Sequence, residues 1–155
     1  MSRKVKPIPD GYQAITPYLI IRGAARALDF YSRALGATER MRLEMPGGKI
    51  GHAEIELGGS VVMLADEFPE MDFRSPEAFG GSPVTVHFYV PDVDAVVARA
   101  VANGARLARP LKNQFYGDRS GTIVDPFGHT WNFATHIEDL TPEEISRRAA
   151  QAHGG

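Results

Sequence analysis

The strongest constraint on this chain is that it repeats itself. A strand-like run, YQAITPYLIIRG, leads into AARALDFYSRALGA, where Ala24, Leu28, Tyr31 and Leu35 recur at helical spacing and Gly36 stands where a C-terminal glycine cap belongs. Three short β runs come next in TERMRLEMPGGKIGHAEIELGGSVVMLAD, separated by the hairpin signals PGGK and LGGS. The βαβββ order then starts again, with PVTVHFYVPD as a strand, VDAVVARAVANGA as a helix ending before Gly104, and RLARPLKN, SGTIVDPFG and HTWNFATH as three strands. Gly59 falls on Gly128 at an offset of 69, and the helix-ending LGA falls on NGA at 68, so the register points to an internal duplication.

The expected organisation is one domain over 12–140, with unit one at 12–67, a linker at 68–81 and unit two at 82–137. Residues 141–155 form a helical or flexible tail, because LTPEEISRRAAQAHGG opens with a Thr cap followed by Pro and two Glu. The linker, EFPEMDFRSPEAFGG, places Phe68, Phe73 and Phe79 in a polar context, which suggests that it covers a cavity or a partner subunit.

Composition narrows the function. A hydrophobic share of 43% with 23% charged residues is that of a globular domain of ordinary size, and no apolar run is long enough to span a bilayer. The basic N-terminus has no apolar run close behind it, so no secretion signal is read and the expected location is cytoplasmic. Without cysteine there are no disulfides, thiolate metal sites or cysteine nucleophiles. A net charge of −2 with scattered Arg and Lys argues against nucleic acid as a partner.

A duplicated βαβββ unit carrying ALDFYSRALGA in its first half and DPFGHTWNFATH at its close resembles the vicinal oxygen chelate superfamily, and within it the PhnB-like or glyoxalase/bleomycin-resistance-like branch. The likeness runs from about Tyr12 to Glu144. It implies an α+β fold in which the two units form a curved mixed sheet around a cavity, with helices on the convex side. It also implies a small-molecule ligand, a homodimer, and in the enzymes a divalent metal chelating two substrate oxygens. The four metal positions carried over by register are Thr16, Met63, Thr85 and Asn132. Two hydroxyls, a thioether and a carboxamide are poor ligands for such an ion, so no cofactor is expected there.

These features together suggest a small-molecule-binding protein. The alternative is a glyoxalase-like lyase or isomerase acting on a small oxygenated or thiol-conjugated substrate. For that alternative, strand parity puts His52, Glu54 and His87 on the cavity face, as a relocated divalent-metal site, an acid/base group or a polar lining. Tyr18 and Tyr89 share that parity, and Phe115, Tyr116 and Arg119 of QFYGDRSG offer stacking surfaces and a planar cation, unless Asp118 neutralises Arg119. Trp131 reads as core. His129 reads as a residue that pins the DPFG turn, and His136 as one at the cavity rim or at the hinge to the C-terminal segment.

Overall fold

A computed structural model of the protein describes residues 4–153, in two compact units that divide between Gly81 and Ser82. The first contains β1 (Tyr18–Ile21), α1 (Ala24–Leu35), β2 (Thr38–Glu44), β3 (Ile50–Leu57) and β4 (Ser60–Asp66), then a 3-10 turn (Pro69–Met71) and the short α2 (Pro76–Phe79). The second contains β5 (Thr85–Tyr89), α3 (Val93–Ala102), β6 (Arg106–Asn113), β7 (Asp118–Val124), β8 (Thr130–His136) and α4 (Pro142–His153). The strand orders are β1-β4-β3-β2 and β5-β8-β7-β6. In each sheet the first and last strands run parallel and the other neighbours antiparallel. The fold is therefore α+β, with a four-stranded mixed sheet in each βαβββ unit.

The sheet registers repeat the duplication residue by residue. Tyr18 lies opposite Met63 as His87 lies opposite Asn132, and Glu54 opposite Met63 as Thr122 opposite Asn132. The one-residue slip has a local cause. The β3–β4 turn is closed by Leu57 and Ser60 around Gly58 and Gly59, both at positive φ, as a tight hairpin requires. The β7–β8 turn is one residue longer and is closed by Asp125 N–H donating to the His129 carbonyl at 2.8 Å.

Helix α1 buries Ala24, Leu28, Tyr31 and Leu35, the positions that its sequence periodicity singles out, against a sheet face built from Leu19, Ile21, Ala53, Ile55 and Leu64. It ends at Gly36, whose φ of 72° lets its amide reach Ser32 O while Ala37 N reaches Tyr31 O. Its start has no cap of its own, since Gly23 precedes it. Asp66, at the end of β4, supplies the acceptor: Oδ1 takes the amides of Gly23 (3.1 Å) and Ala24 (2.9 Å), and Oδ2 takes that of Ile50 (2.7 Å). In the second unit the equivalent strand end holds Thr135, whose hydroxyl accepts from Val93 N and donates to Val90 O, while Asp92 caps α3 through Ala95 N. Val93, Val97, Ile123, Trp131 and Phe133 form the core there.

The segment after β4 is tied back to its own unit. Glu67 accepts from Arg22 Nε (3.0 Å) and from the amide and hydroxyl of buried Ser75, which hold its carboxyl down at about 2. Phe68 and Phe73 close the loop by a backbone bridge, and Lys49 Nζ sits 5.0 Å from the Phe68 ring centre. Phe79 remains 70% exposed. At the other end, His136 joins β8 to β7 and to the segment leading into α4: Nδ1 meets Asp118 Oδ1 and Nε2 meets Asp139 Oδ1, both at 2.8 Å. Helix α4 is held by Arg148, paired with Glu138 and Glu144, and by its contact with the Phe115 carbonyl.

These contacts set two expectations for stability. Asp66→Ala strands three amides at a mostly buried point and should lower urea-determined stability by about 3 kcal/mol, with a smaller loss for Asp66→Asn, which keeps one acceptor. Hydrogen bonds to Asp118 and then Asp139 raise the pKa of His136 above its ordinary value. Its stabilising contribution is therefore complete below about pH 6.5 and is lost as pH rises through the raised value. The urea midpoint should fall across that window in the natural chain, and the fall should be smaller in His136→Gln.

Candidate functional site

On the exposed face of the first sheet, four side chains form a hydrogen-bonded line. Because directly opposed strand residues share a face, the row Tyr18, Met63, Glu54, Met41 crosses β1, β4, β3 and β2. His52, two residues before Glu54, stands on the same face. Tyr18 Oη lies 2.8 Å from His52 Nδ1, and His52 Nε2 lies 2.8 Å from Glu54 Oε2. Tyr12, in the segment before β1, donates its hydroxyl to Glu54 Oε1 and stacks against the Arg40 guanidinium at 4.8 Å.

Glu54 is 5% exposed. Burial pushes its carboxyl up, but hydrogen bonds from Tyr12 and His52 outweigh that and hold it below the ordinary range. An ionised Glu54 accepts only, so Nε2 of a neutral His52 carries the proton and Nδ1 accepts from Tyr18. Burial, then the Glu54 charge, raises the Tyr18 phenol, so Tyr18 keeps its proton at neutral pH. The line thus runs from a 47% exposed hydroxyl, through an imidazole, to a buried carboxylate.

The second unit carries a different site. A cleft of about 640 Å³ opens on its sheet, and Thr85, His87, Arg109, Gln114, Tyr116 and Asn132 are among the residues lining it. That volume lies within the range of roughly 300–1,000 Å³ typical of small-molecule sites. Asn132 Nδ2 donates to His87 Nδ1 at 2.9 Å and Asn132 Oδ1 accepts from Thr122 Oγ1 at 2.9 Å, so a neutral His87 presents Nε2–H as its remaining donor. The lining has no Asp or Glu, and its one Arg, Arg109, forms no salt bridge with a described carboxylate.

The structure also places the other residues singled out from the sequence. Tyr89 packs edge-on against His87 at 4.7 Å and donates to Asp118 Oδ2. Phe115 is not among the lining residues; it packs edge-on against Tyr116 and against His153 of α4. Arg119 is not neutralised by Asp118. Adjacent strand residues face opposite sides, so Asp118 takes Tyr89 and His136 while Arg119 forms a two-pronged pair with Asp94 of α3, both contacts at 2.9 Å. Trp131 is fully buried, with Nε1–H on Asp125 Oδ2 at 3.0 Å. The DPFG turn is held by Asp125, whose Oδ1 accepts the amides of Phe127 and His129.

The four positions at which the resemblance implies a metal do not fit one. Thr16 donates its hydroxyl to Gln13 O, Met63 offers a thioether, Thr85 a hydroxyl, and the Asn132 oxygen is already taken by Thr122. None is an imidazole or an anion. Among the described residues, no three His, Asp or Glu side chains come together as a group able to hold a metal ion.

Parity singles out Tyr18, His52, Glu54 and His87, and the register of the resemblance singles out Asn132; neither marks Tyr12 or Arg109. Tyr12 meets Glu54 across 42 residues of sequence, and nothing local marks that contact. Arg109 comes after a register shift in β6 between Leu107 and Arg109, which defeats simple alternation.

Comparison with known proteins agrees with this architecture. The chain is 41% identical over 135 residues to the uncharacterised protein Mb0911c of Mycobacterium bovis, covering 85% of this chain and 89% of that one. It resembles the crystal structure of TioX from Micromonospora sp. ML1 with a TM-score of 0.63 at 28% identity, over 81% of this chain and 99% of the other. The PhnB protein of Bacillus cereus shares the fold, with a TM-score of 0.64 at 19% identity over 79% and 99% of the two chains. The profile of the Glyoxalase/Bleomycin resistance protein/Dioxygenase superfamily matches residues 14–133, and the chain belongs to that superfamily.

Proposed function

We propose that the protein binds a small oxygen-rich, anionic molecule in the cleft of its second unit, without a metal at the four family positions. The observation that carries this reading is the lining itself, which has hydroxyl and amide groups, a histidine donor and an arginine, and no carboxylate. A guanidinium without a carboxylate partner at the edge of such a cleft favours a carboxylate or another planar oxyanion, which it can hold through two parallel hydrogen bonds. Tyr116, 37% exposed, offers a ring on which a flat or aliphatic part of the ligand can rest. The neutral donors at Thr16, Met63, Thr85 and Asn132 support ligand binding over metal-assisted chemistry.

A cytoplasmic homodimer is part of the same proposal. No described helix is long and apolar enough to cross a membrane. Sedimentation velocity returning only monomer at micromolar concentration would remove the dimer.

Thermal shift with two probes of opposite charge tests the binding. S-hexylglutathione, which carries two carboxylates, should stabilise the protein by about 2.7 kcal/mol at a hundredfold excess over its dissociation constant, whereas cationic bleomycin should not. Arg109→Ala should weaken the glutathione conjugate at least tenfold, as loss of a charged hydrogen bond does. No shift with S-hexylglutathione at millimolar concentration, or equal affinity in Arg109→Ala, would end the anion reading.

A further inference from the structure

We propose that Tyr18, His52 and Glu54 form a metal-independent proton-transfer site on the first sheet, acting on an enolisable ketone with an apolar arm. The site shares no residue with the second-unit cleft and stands or falls independently of what that cleft binds.

The first observation is the order of the groups. Each link has a donor facing an acceptor: Tyr18 Oη–H to His52 Nδ1, and His52 Nε2–H to Glu54. The buried carboxylate fixes the imidazole tautomer and offsets charge on it, and the imidazole in turn stands ready to take the tyrosine proton. Only the outermost group, Tyr18, is largely open to solvent.

The duplication supplies the second observation. At the matching register of the second sheet, Tyr18 is replaced by His87, Glu54 by Thr122 and Met63 by Asn132, which make a neutral network with no carboxylate. The second sheet's buried carboxylate, Asp118, lies four residues along β7 from that register, where it takes Tyr89 and His136, so a buried anion at the Glu54 position is particular to the first unit. Burying Glu54 beside two proton-bearing groups, Tyr12 and His52, costs solvation that a packing role does not require.

The apolar rim defines the substrate. Met41 lies opposite Glu54 and Leu43 opposite His52 on β2, and they are 41% and 54% exposed. They form an apolar platform beside His52 and Glu54, suited to a hydrocarbon or aryl arm.

The step balances without a redox partner. The substrate's α C–H bond breaks and its proton goes to Tyr18 Oη as the Tyr18 proton passes to His52 Nδ1. The C–H electron pair stays on the substrate as an enolate, and the imidazolium is paired with Glu54. The positive charge formed on His52 thus faces the negative charge formed on the substrate. Return of the proton to either face of the carbon regenerates all three groups, so the net reaction is proton exchange or inversion at that carbon. Tyr18 is the catalytic residue, and His52 and Glu54 act through it.

The test is deuterium exchange into the methylene of phenylacetone in D2O, monitored by proton NMR with the full chain. The natural protein should exceed buffer by about a hundredfold, the lower range of general acid/base catalysis. Tyr18→Phe, which removes only an exposed hydroxyl, and His52→Ala should both return to near the buffer rate. Added imidazole should restore exchange in His52→Ala and not in Tyr18→Phe, a rescue that a merely structural histidine would not give. Nitrogen-15 spectra should show His52 as the Nε2–H tautomer. Exchange at the buffer rate in the natural chain, exchange surviving Tyr18→Phe, or the Nδ1–H tautomer would each overturn the proposal. If His52→Ala fails to fold, Tyr18→Phe and the tautomer decide it.

Discussion

The parallel pairing of the first and last strands in each unit is the constraint on which the rest of the structure depends. Two parallel neighbours cannot be joined by a hairpin, so the chain must leave the sheet, cross it and return. Here α1 makes the crossing and β2 and β3 fill the sheet on the way back, with β4 finally settling beside β1. The return carries Asp66 to the amides at the start of α1, so the strand that completes the sheet also caps the helix that made the crossing. The second unit solves the same problem with a hydroxyl at Thr135 and a separate cap at Asp92.

The same pairing brings the candidate side chains together. A side chain on β1 or β5 is brought opposite one on β4 or β8, and through that strand to β3 or β7, although each lies tens of residues away in sequence. In one unit the row contains a phenol and a buried carboxylate bridged by an imidazole. In the other it contains an imidazole, a carboxamide and a hydroxyl. One architecture therefore carries a row with a buried carboxylate in one unit and an uncharged row at the equivalent register in the other.

Much of this was legible in the sequence, for physical reasons that can be assigned residue by residue. The periodicity of Ala24, Leu28, Tyr31 and Leu35 revealed α1 because a helix buries one stripe, and Gly36 revealed its end because only a residue free to adopt positive φ closes it well. Alternation in β3 placed His52 and Glu54 on one face because strand geometry leaves no choice. The sequence leaves Arg119 open between ligand binding and a pair with Asp118; the structure removes the second, because Asp118 faces the other side and the carboxylate in reach is Asp94 of α3.

The sequence by itself determined the duplication, the α+β class and the faces of the residues on regular strands. These depend on local periodicity and on register, which a linear text preserves. Only the tertiary structure decided that Tyr12 and Tyr18 converge on the His52–Glu54 pair, that Arg109 rather than Arg119 borders the cleft, and that Asp66 caps α1. Those outcomes turn on strand order, an irregular β6 and contacts between residues far apart in the chain, where the geometry of a hydrogen bond depends on the folded path and not on distance along it.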